Sequence, residues 1–119
     1  MKEVMAVIRV KKMNQTKQAL ADAGISSVTG KDVLGRGASR QQEALLTGEE
    51  VAQSHSPRLI AKRLLTVVVP DKLVAKTVKT IIRVNQTGES GDGKIWVLPV
   101  LEAVRVRTGE VGDAAIDEM

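Results

Sequence analysis

Anion binding is the chemistry that the most conspicuous residues of this sequence support. A glycine-rich stretch is followed by a lysine and, further along, by two arginines two positions apart, in the order Gly88, Gly91, Gly93, Lys94, Arg105 and Arg107. Glycines let backbone N–H groups converge on one anion, and the basic side chains add charge. Residues two apart on an extended chain point the same way, so both arginines would face one ligand. The pattern therefore indicates a polyphosphate site.

The residues alone leave a simpler interpretation of this stretch open. Gly91-Asp92-Gly93 is also typical of a β-turn that binds nothing, with Asp92 capping the turn. The spacing is not that of a Walker A loop, which ends in Lys-Ser or Lys-Thr. Nor is it a dinucleotide fingerprint, because that motif opens a helix, whereas this one precedes a strand pattern. The phosphate site thus depends on the later basic residues as much as on the glycines.

The composition indicates one globular domain that spans residues 1–119. Hydrophobic residues make up 43% and charged residues 27%, which is ordinary for such a domain. The absence of cysteine excludes disulfides and thiolate metal sites, and we expect no bound structural metal. No apolar run approaches the ~20 residues of a membrane span. We therefore expect a cytoplasmic protein without membrane insertion.

Two function classes are disfavoured by the residue types. The net charge of +4 is spread over every segment, and Trp96 is the only aromatic residue, whereas RNA readers usually present several aromatic side chains on a sheet. The only histidine, His55, has no evident carboxylate partner, although general acid–base catalysis needs a fixed geometry. We predict no nucleic-acid binding and no catalytic residues. A nucleotide hydrolase or transferase with a metal on Asp92 remains the enzyme alternative.

Hydrophobic periodicity predicts a β-α-β unit, a long connection and a second β-α-β unit. The predicted strands cover residues 4–10, 27–34, 64–69 and 95–101. One predicted helix begins at Met13 and is capped at its C-terminus by Gly24. The other starts at Pro70, and its apolar face consists of Leu73, Val74, Val78, Ile81 and Ile82. This order predicts an α+β fold, a ferredoxin-like βαββαβ sandwich with two helices on one face of a four-stranded antiparallel sheet.

Three further features qualify this architecture. Pro99 in the last strand is compatible only with a sheet edge or a bulge. The strands are apolar on both sides, so we expect an oligomer to cover the free sheet face. The connection of residues 36–60 between strands two and three is unusually long and carries Leu45, Leu46 and Val51, which favours an arm that docks a partner over an insertion without a role.

The sequence as a whole closely resembles the PII nitrogen-regulatory proteins. The resemblance is carried by residues 86–95, with Gln-Thr-Gly and Gly-Asp-Gly-Lys-Ile, and by residues 104–110, Val-Arg-Val-Arg-Thr-Gly-Glu. Residues 2–9 and 67–71 match the same family. Within it, residues 32–37, 62–65 and 84–88 are most similar to the NifI-type branch, which is linked to switching nitrogenase off.

The resemblance implies a homotrimer with three clefts between adjacent subunits, each binding ATP or ADP. By position, Gly91, Asp92, Gly93 and Lys94 would form the loop against the phosphates. Arg105 and Arg107 would add charge, and three more residues would lie near the nucleotide, namely Thr29, Gly37 and Val68. Nucleotide and 2-oxoglutarate together would set the conformation of the 36–60 loop, which docks on a target such as nitrogenase. The segment 103–119 would form a C-terminal loop and tail.

The sequence also departs from the family. Ser39 stands where a glutamine usually helps to hold Mg²⁺ and 2-oxoglutarate, and Ala38 replaces a basic residue. Lys62 matches the lysine that pairs with a 2-oxoglutarate carboxylate. The long loop has no tyrosine, which excludes uridylylation on tyrosine. A PII-like regulator that senses a different small molecule therefore remains open, as do the target, the ATP-to-ADP preference and a mixed oligomer with a paralogue.

Overall fold

The computed structural model describes residues 1–36 and 59–116, which form a four-stranded antiparallel sheet with two helices on one face. In chain order the elements are β1 (Lys2–Ile8), α1 (Met13–Asp22), β2 (Thr29–Gly35), β3 (Ile60–Val69), α2 (Val74–Asn85), β4 (Lys94–Pro99) and a short α3 (Asp113–Ile116). Short 3-10 turns, Val10–Lys12 and Asp71–Leu73, lead into α1 and α2. The strand order β2-β3-β1-β4 is that of the ferredoxin-like sandwich, so the predicted fold is confirmed.

Strand β1 lies in the middle of the sheet and alternates between its two faces. Val4, Ala6 and Ile8 point toward the helices and are essentially fully buried. They pack with Leu65 and Val67 of β3, with Leu20 of α1 and with Ile81 of α2 in one core. The opposite face carries partly buried Met5 and Trp96, which are register partners, and Leu98, which is 42% exposed. The apolar character of both faces is thus real, although the two helices cover only one of them.

The element boundaries differ from the predicted ones where the hydrophobic pattern is ambiguous. Val10 belongs to the turn before α1 rather than to β1, and β3 begins at Ile60 rather than at Leu64. β4 ends at Pro99, because proline has no N–H to donate, and it pairs only with β1, as the edge position required. Ile82, which was predicted on the apolar face of this helix, is 42% exposed and lines the groove between α2 and β4. Its neighbour Ile81 is the buried isoleucine.

One buried polar contact joins the two helices, and it yields a stability prediction. The Asn85 side-chain amide donates to the hydroxyl of Thr16 at 3.0 Å and to the carbonyl of Ile81 at 2.9 Å. Thr16→Val is expected to cost about 1–3 kcal/mol of unfolding free energy, because it leaves a buried donor unmatched. Thr77→Val is the matched control: Thr77 is equally buried, and both hydroxyls donate to the carbonyl four residues earlier. Urea denaturation that finds equal losses in the two variants would contradict this role of Asn85.

Candidate functional site

The carboxylate of Asp92 organises the glycine-rich loop between α2 and β4. It accepts hydrogen bonds from the backbone N–H groups of Thr87 at 2.8 Å and Gly88 at 2.9 Å, and from the Thr87 hydroxyl. The Thr87 hydroxyl oxygen in turn accepts the N–H of Glu89. These bonds fold residues 87–92 onto one carboxylate, which gives the loop a defined shape.

Arg9, the residue that follows β1, forms hydrogen bonds to the same loop. Its guanidinium donates to Asp92 Oδ1 at 2.8 Å and to the carbonyl of Ser90 at 3.0 Å. Both charged side chains are only about one-fifth exposed, at 22% and 23%. Sequence reasoning missed this role of Arg9, because 83 positions separate the partners and no local pattern links them. The available signal was an arginine at the end of an otherwise apolar strand.

Gly93 lies where the loop meets the backbone of β1. Its φ is +114°, and a Cβ atom built on it would lie 2.0 Å from the carbonyl oxygen of Val7. No side chain fits there, so the Val7 carbonyl fixes the position at which β4 starts. Lys94, the next residue, is exposed at the first position of β4.

Lys62 of β3 also contacts the glycine loop. Its Nζ donates to the carbonyl of Gly91 at 3.2 Å. Burial, followed by the repulsion of Arg9, lowers the pKa of Lys62 below its usual value, and the attraction of Asp92 partly offsets this. Two basic side chains, Arg9 and Lys62, thus lie beside one carboxylate, and the cluster is complementary to a further negative group.

The hydrogen bonds to Asp92 lower the pKa of its carboxyl group well below the usual 3.8. The largest causes are the bonds from Thr87, first its hydroxyl and then its N–H, followed by Arg9. A carboxylate with a depressed pKa stabilises the fold above its usual pKa, and the stabilisation is lost as the pH falls through the folded pKa. Asp92→Asn should therefore lower the unfolding free energy by an amount that is constant above about pH 5 and that shrinks as the pH falls below 3.8. Chemical denaturation of both proteins across pH 2.5–7 checks this, and a gap that widens in acid would refute it.

A second group of predicted site residues lies together in another cavity. Thr29, Val68 and Arg105 line a cavity of about 370 Å³, together with Glu3, Thr66 and the α3 residues Ala115 and Ile116. Arg105 is fixed by Glu110: its guanidinium lies 2.9 Å from Glu110 Oε1, and its backbone N–H donates to the Glu110 carbonyl at 2.8 Å. Thr108 donates to the same carboxylate. Arg107, in contrast, is exposed on the turn.

One chain therefore does not bring the predicted phosphate residues together. Asp92, Gly93 and Lys94 line a groove of about 550 Å³ between α2 and β4, whereas Thr29, Val68 and Arg105 line the other cavity. β4 and β2 are opposite edges of the sheet. Gly37, Ser39 and nearly all of the predicted loop 36–60, including His55, lie outside the described residues.

Two other kinds of feature are absent from the described residues, 1–36 and 59–116. Over these ranges no group of three or more His, Cys, Asp or Glu side chains is arranged to hold a metal ion. Within the same ranges no helix is long and apolar enough to cross a membrane.

Comparison with known proteins relates this geometry to a family. The family model described as "Nitrogen regulatory protein P-II" matches residues 1–110. A "Nitrogen fixation nifHD region GlnB-like protein 2" of Methanobacterium ivanovii is 44% identical, over 98% of this chain and 99% of that protein. "Nitrogen regulatory protein P-II 1" of Escherichia coli is 40% identical, over 98% of this chain and all of that protein. The crystal structure of Arabidopsis thaliana PII bound to citrate superposes with a TM-score of 0.78 at 35% identity, covering 99% of this chain and 91% of that one.

These similarities extend over nearly the whole chain, and the range matched by the family model includes residues 87–93, 105 and 107. Other relatives above 40% identity, from Methanococcus maripaludis and Methanosarcina barkeri, carry the same nifHD-region description, so the resemblance to the NifI-type branch is also confirmed. The chain belongs to the nitrogen regulatory protein P-II family.

Proposed function

We propose that this protein is a nucleotide-dependent sensor that binds ATP or ADP and controls a target protein of nitrogen metabolism. The observation that carries the proposal is the glycine loop of residues 87–93, which Asp92, Arg9 and Lys62 hold in a defined shape. Such preorganisation lowers the ordering cost of binding. A loop that is already folded and is surrounded by basic side chains suits a polyphosphate.

Charge supports a nucleotide over a neutral ligand. A triphosphate carries roughly −3 to −4, and Lys94, Arg105 and Arg107 would supply three positive charges in addition to backbone donors. Lys94 and Arg107 are exposed in the single chain, and Arg105 is already oriented by Glu110. Thr29, Val68 and Gly37 would contact the rest of the nucleotide.

The separation of the two residue groups supports a site shared between subunits, and we propose that the assembly is the homotrimer that the family resemblance implies. If the groove beside β4 of one subunit faced the Arg105 cavity of the next, each interface would assemble one complete site from two incomplete ones. The same arrangement would cover the sheet face that carries Met5, Trp96 and Leu98. The exposed Val106 and Leu101, 99% and 97% accessible beside the arginines, would likewise gain a partner.

We propose 2-oxoglutarate, with Mg²⁺, as the second ligand of this sensor. Lys62 lies beside the loop, and its amino group has one neutral acceptor, the Gly91 carbonyl, that a carboxylate would replace. The Arabidopsis relative is described as bound to citrate, itself a carboxylate ligand. Ser39 would contribute a shorter oxygen ligand than glutamine. Ser39 and Ala38 are also what favours the alternative, a PII-like regulator that senses a different small molecule.

The regulated partner is proposed from the relatives. The nifHD-region descriptions point to nitrogenase or another protein of nitrogen fixation, docked through residues 36–60. We further propose that the protein acts in the cytoplasm and that it is a regulator rather than an enzyme.

Two measurements on the purified full chain test the proposed assembly and its nucleotide site. Light scattering after size exclusion is expected to give three times the 12.8 kDa chain mass. Calorimetric titration with ATP and with ADP is expected to give one nucleotide per chain. A monomer that binds no nucleotide would overturn the proposal. A trimer that binds nucleotide in any other ratio would overturn the shared site.

A further inference from the structure

Arg9 contacts the glycine loop, although it is not among the residues proposed to contact the phosphates. It lies one residue beyond β1, and its guanidinium makes two bonds in two directions, to Asp92 Oδ1 at 2.8 Å and to the Ser90 carbonyl at 3.0 Å. The side chain is mostly buried, with 22% exposed. Its positive charge therefore faces the loop and is already paired with the Asp92 carboxylate.

The loop is anchored to β1 at two points that differ in kind. At Gly93 the anchor is the backbone, because the Val7 carbonyl leaves no room for a side chain. At Ser90 and Asp92 the anchor is the Arg9 side chain alone. Between these anchors Lys62 contributes one bond, to the Gly91 carbonyl. The stretch from Ser90 to Asp92 thus depends on side chains for its position, and Arg9 supplies two of the bonds.

Asp92 passes the restraint from Arg9 on to the backbone amides. One carboxylate oxygen, Oδ1, accepts from Arg9, while the other, Oδ2, accepts from the N–H groups of Thr87 and Gly88. Without its guanidinium partner the carboxylate would keep the Thr87 hydroxyl on Oδ1 but would lose its bond to Arg9, and we expect both amide bonds to loosen with it. The planar fork of arginine is suited to this task, since its two terminal nitrogens reach the two acceptors in fixed directions, whereas a lysine ammonium is a single point charge.

We infer that Arg9 is a positioning residue of the nucleotide site: it fixes the glycine loop in its phosphate-accepting shape through Asp92 and the Ser90 carbonyl, without touching the phosphates. This inference rests on the proposed nucleotide site and adds a residue to it. It differs from a direct electrostatic role, in which Arg9 would add its charge to that of Lys94 and the arginines of the C-terminal turn.

A double-mutant cycle separates the two roles. ATP affinity is measured by calorimetry for the wild type, Arg9→Gln, Asp92→Asn and the double variant. Arg9→Gln is expected to weaken ATP binding about tenfold, as for loss of a charged hydrogen-bond partner, and to have little further effect when Asp92 is already asparagine. Multiplying losses in the double variant would show a direct contact of Arg9 with the ligand and would overturn the inference.

Two further variants guard against a merely structural or general charge effect. Arg9→Lys keeps the charge and one of the bonds, so its loss of affinity should be smaller than that of Arg9→Gln. Arg83→Gln removes the same charge from the outer surface of α1 and α2, and it should bind ATP as the wild type does. Equal losses in Arg9→Gln and Arg83→Gln would contradict positioning.

Amide hydrogen exchange of the ligand-free protein supplies a readout of the loop itself. In Arg9→Gln, exchange at Thr87 and Gly88 should accelerate, while the amides of α1 keep the wild-type rate. Acceleration throughout the chain would mean that Arg9 stabilises the whole fold, and unchanged rates at Thr87 and Gly88 would overturn the inference. If the wild type itself binds no ATP, the proposed nucleotide site fails, whereas wild-type-like binding by Arg9→Gln refutes only the positioning role.

Discussion

Gly93→Ala is expected to lower the free energy of unfolding by about 2–6 kcal/mol, the largest single-residue effect that we anticipate. Two costs add. A non-glycine residue at φ +114° stores about 1–3 kcal/mol of backbone strain, and forcing the new Cβ away from the Val7 carbonyl, 2.0 Å distant, costs about as much again. The obstacle is backbone in the central strand, so no side-chain rotation relieves it. Urea denaturation followed by circular dichroism measures the loss.

Gly88→Ala is the control for this effect. Gly88 belongs to the same loop and has a similar positive φ of +86°, but no atom lies within 4 Å of the added Cβ. Only the strain remains, and we expect a loss of about 1–2 kcal/mol. If the two variants were equally stable, the close approach of Gly93 to β1 would not be what fixes the loop.

The second large effect concerns nucleotide affinity. Lys94→Ala and Arg107→Ala should each weaken ATP binding by about 1–3 kcal/mol, or roughly 5- to 150-fold, because each removes a charged partner of the phosphates. Both side chains are exposed in the free chain, and neither makes an ion pair there within the described residues. The folded state should therefore lose little stability when they are truncated. Calorimetric titration of ATP measures the affinities.

Matched controls exist for both charges. Lys17→Ala and Arg83→Ala remove the same charges from exposed positions on α1 and α2. A general attraction between a basic protein and an anion would weaken with these variants as well. Wild-type ATP affinity in both Lys94→Ala and Arg107→Ala would contradict the proposed nucleotide site.

Local patterns predicted the fold because each helix and strand has its own hydrophobic periodicity and is bounded by residues that favour an element end. Gly24, with a φ of +89°, ends α1 as expected, and Pro99 marks the edge strand. The adjacent isoleucines of α2 fit a helical stripe about equally well, and only packing decides that Ile81 enters the core while Ile82 stays 42% exposed.

The candidate site was less predictable than the fold. The glycines, Lys94 and the arginines are close in sequence and were found by pattern and by resemblance. Arg9 was not assigned a role, since its contact with Asp92 spans 83 positions. The capping role of Asp92, raised as the simpler alternative, is what the structure shows. The location of Arg105 and Lys94 at different cavities is likewise beyond what sequence spacing conveys, because it follows from the strand order.

The most direct test of the proposed sensor is a calorimetric titration of 2-oxoglutarate into the purified protein, with and without Mg-ATP. We expect binding only when Mg-ATP is present, and we expect Lys62→Ala to lose 2-oxoglutarate binding while it still binds ATP. Binding of 2-oxoglutarate that is equally strong without nucleotide, or none in the presence of bound Mg-ATP, would contradict a nucleotide-dependent 2-oxoglutarate sensor. The second of these outcomes would leave the nucleotide site in place and assign the sensing role to another small molecule.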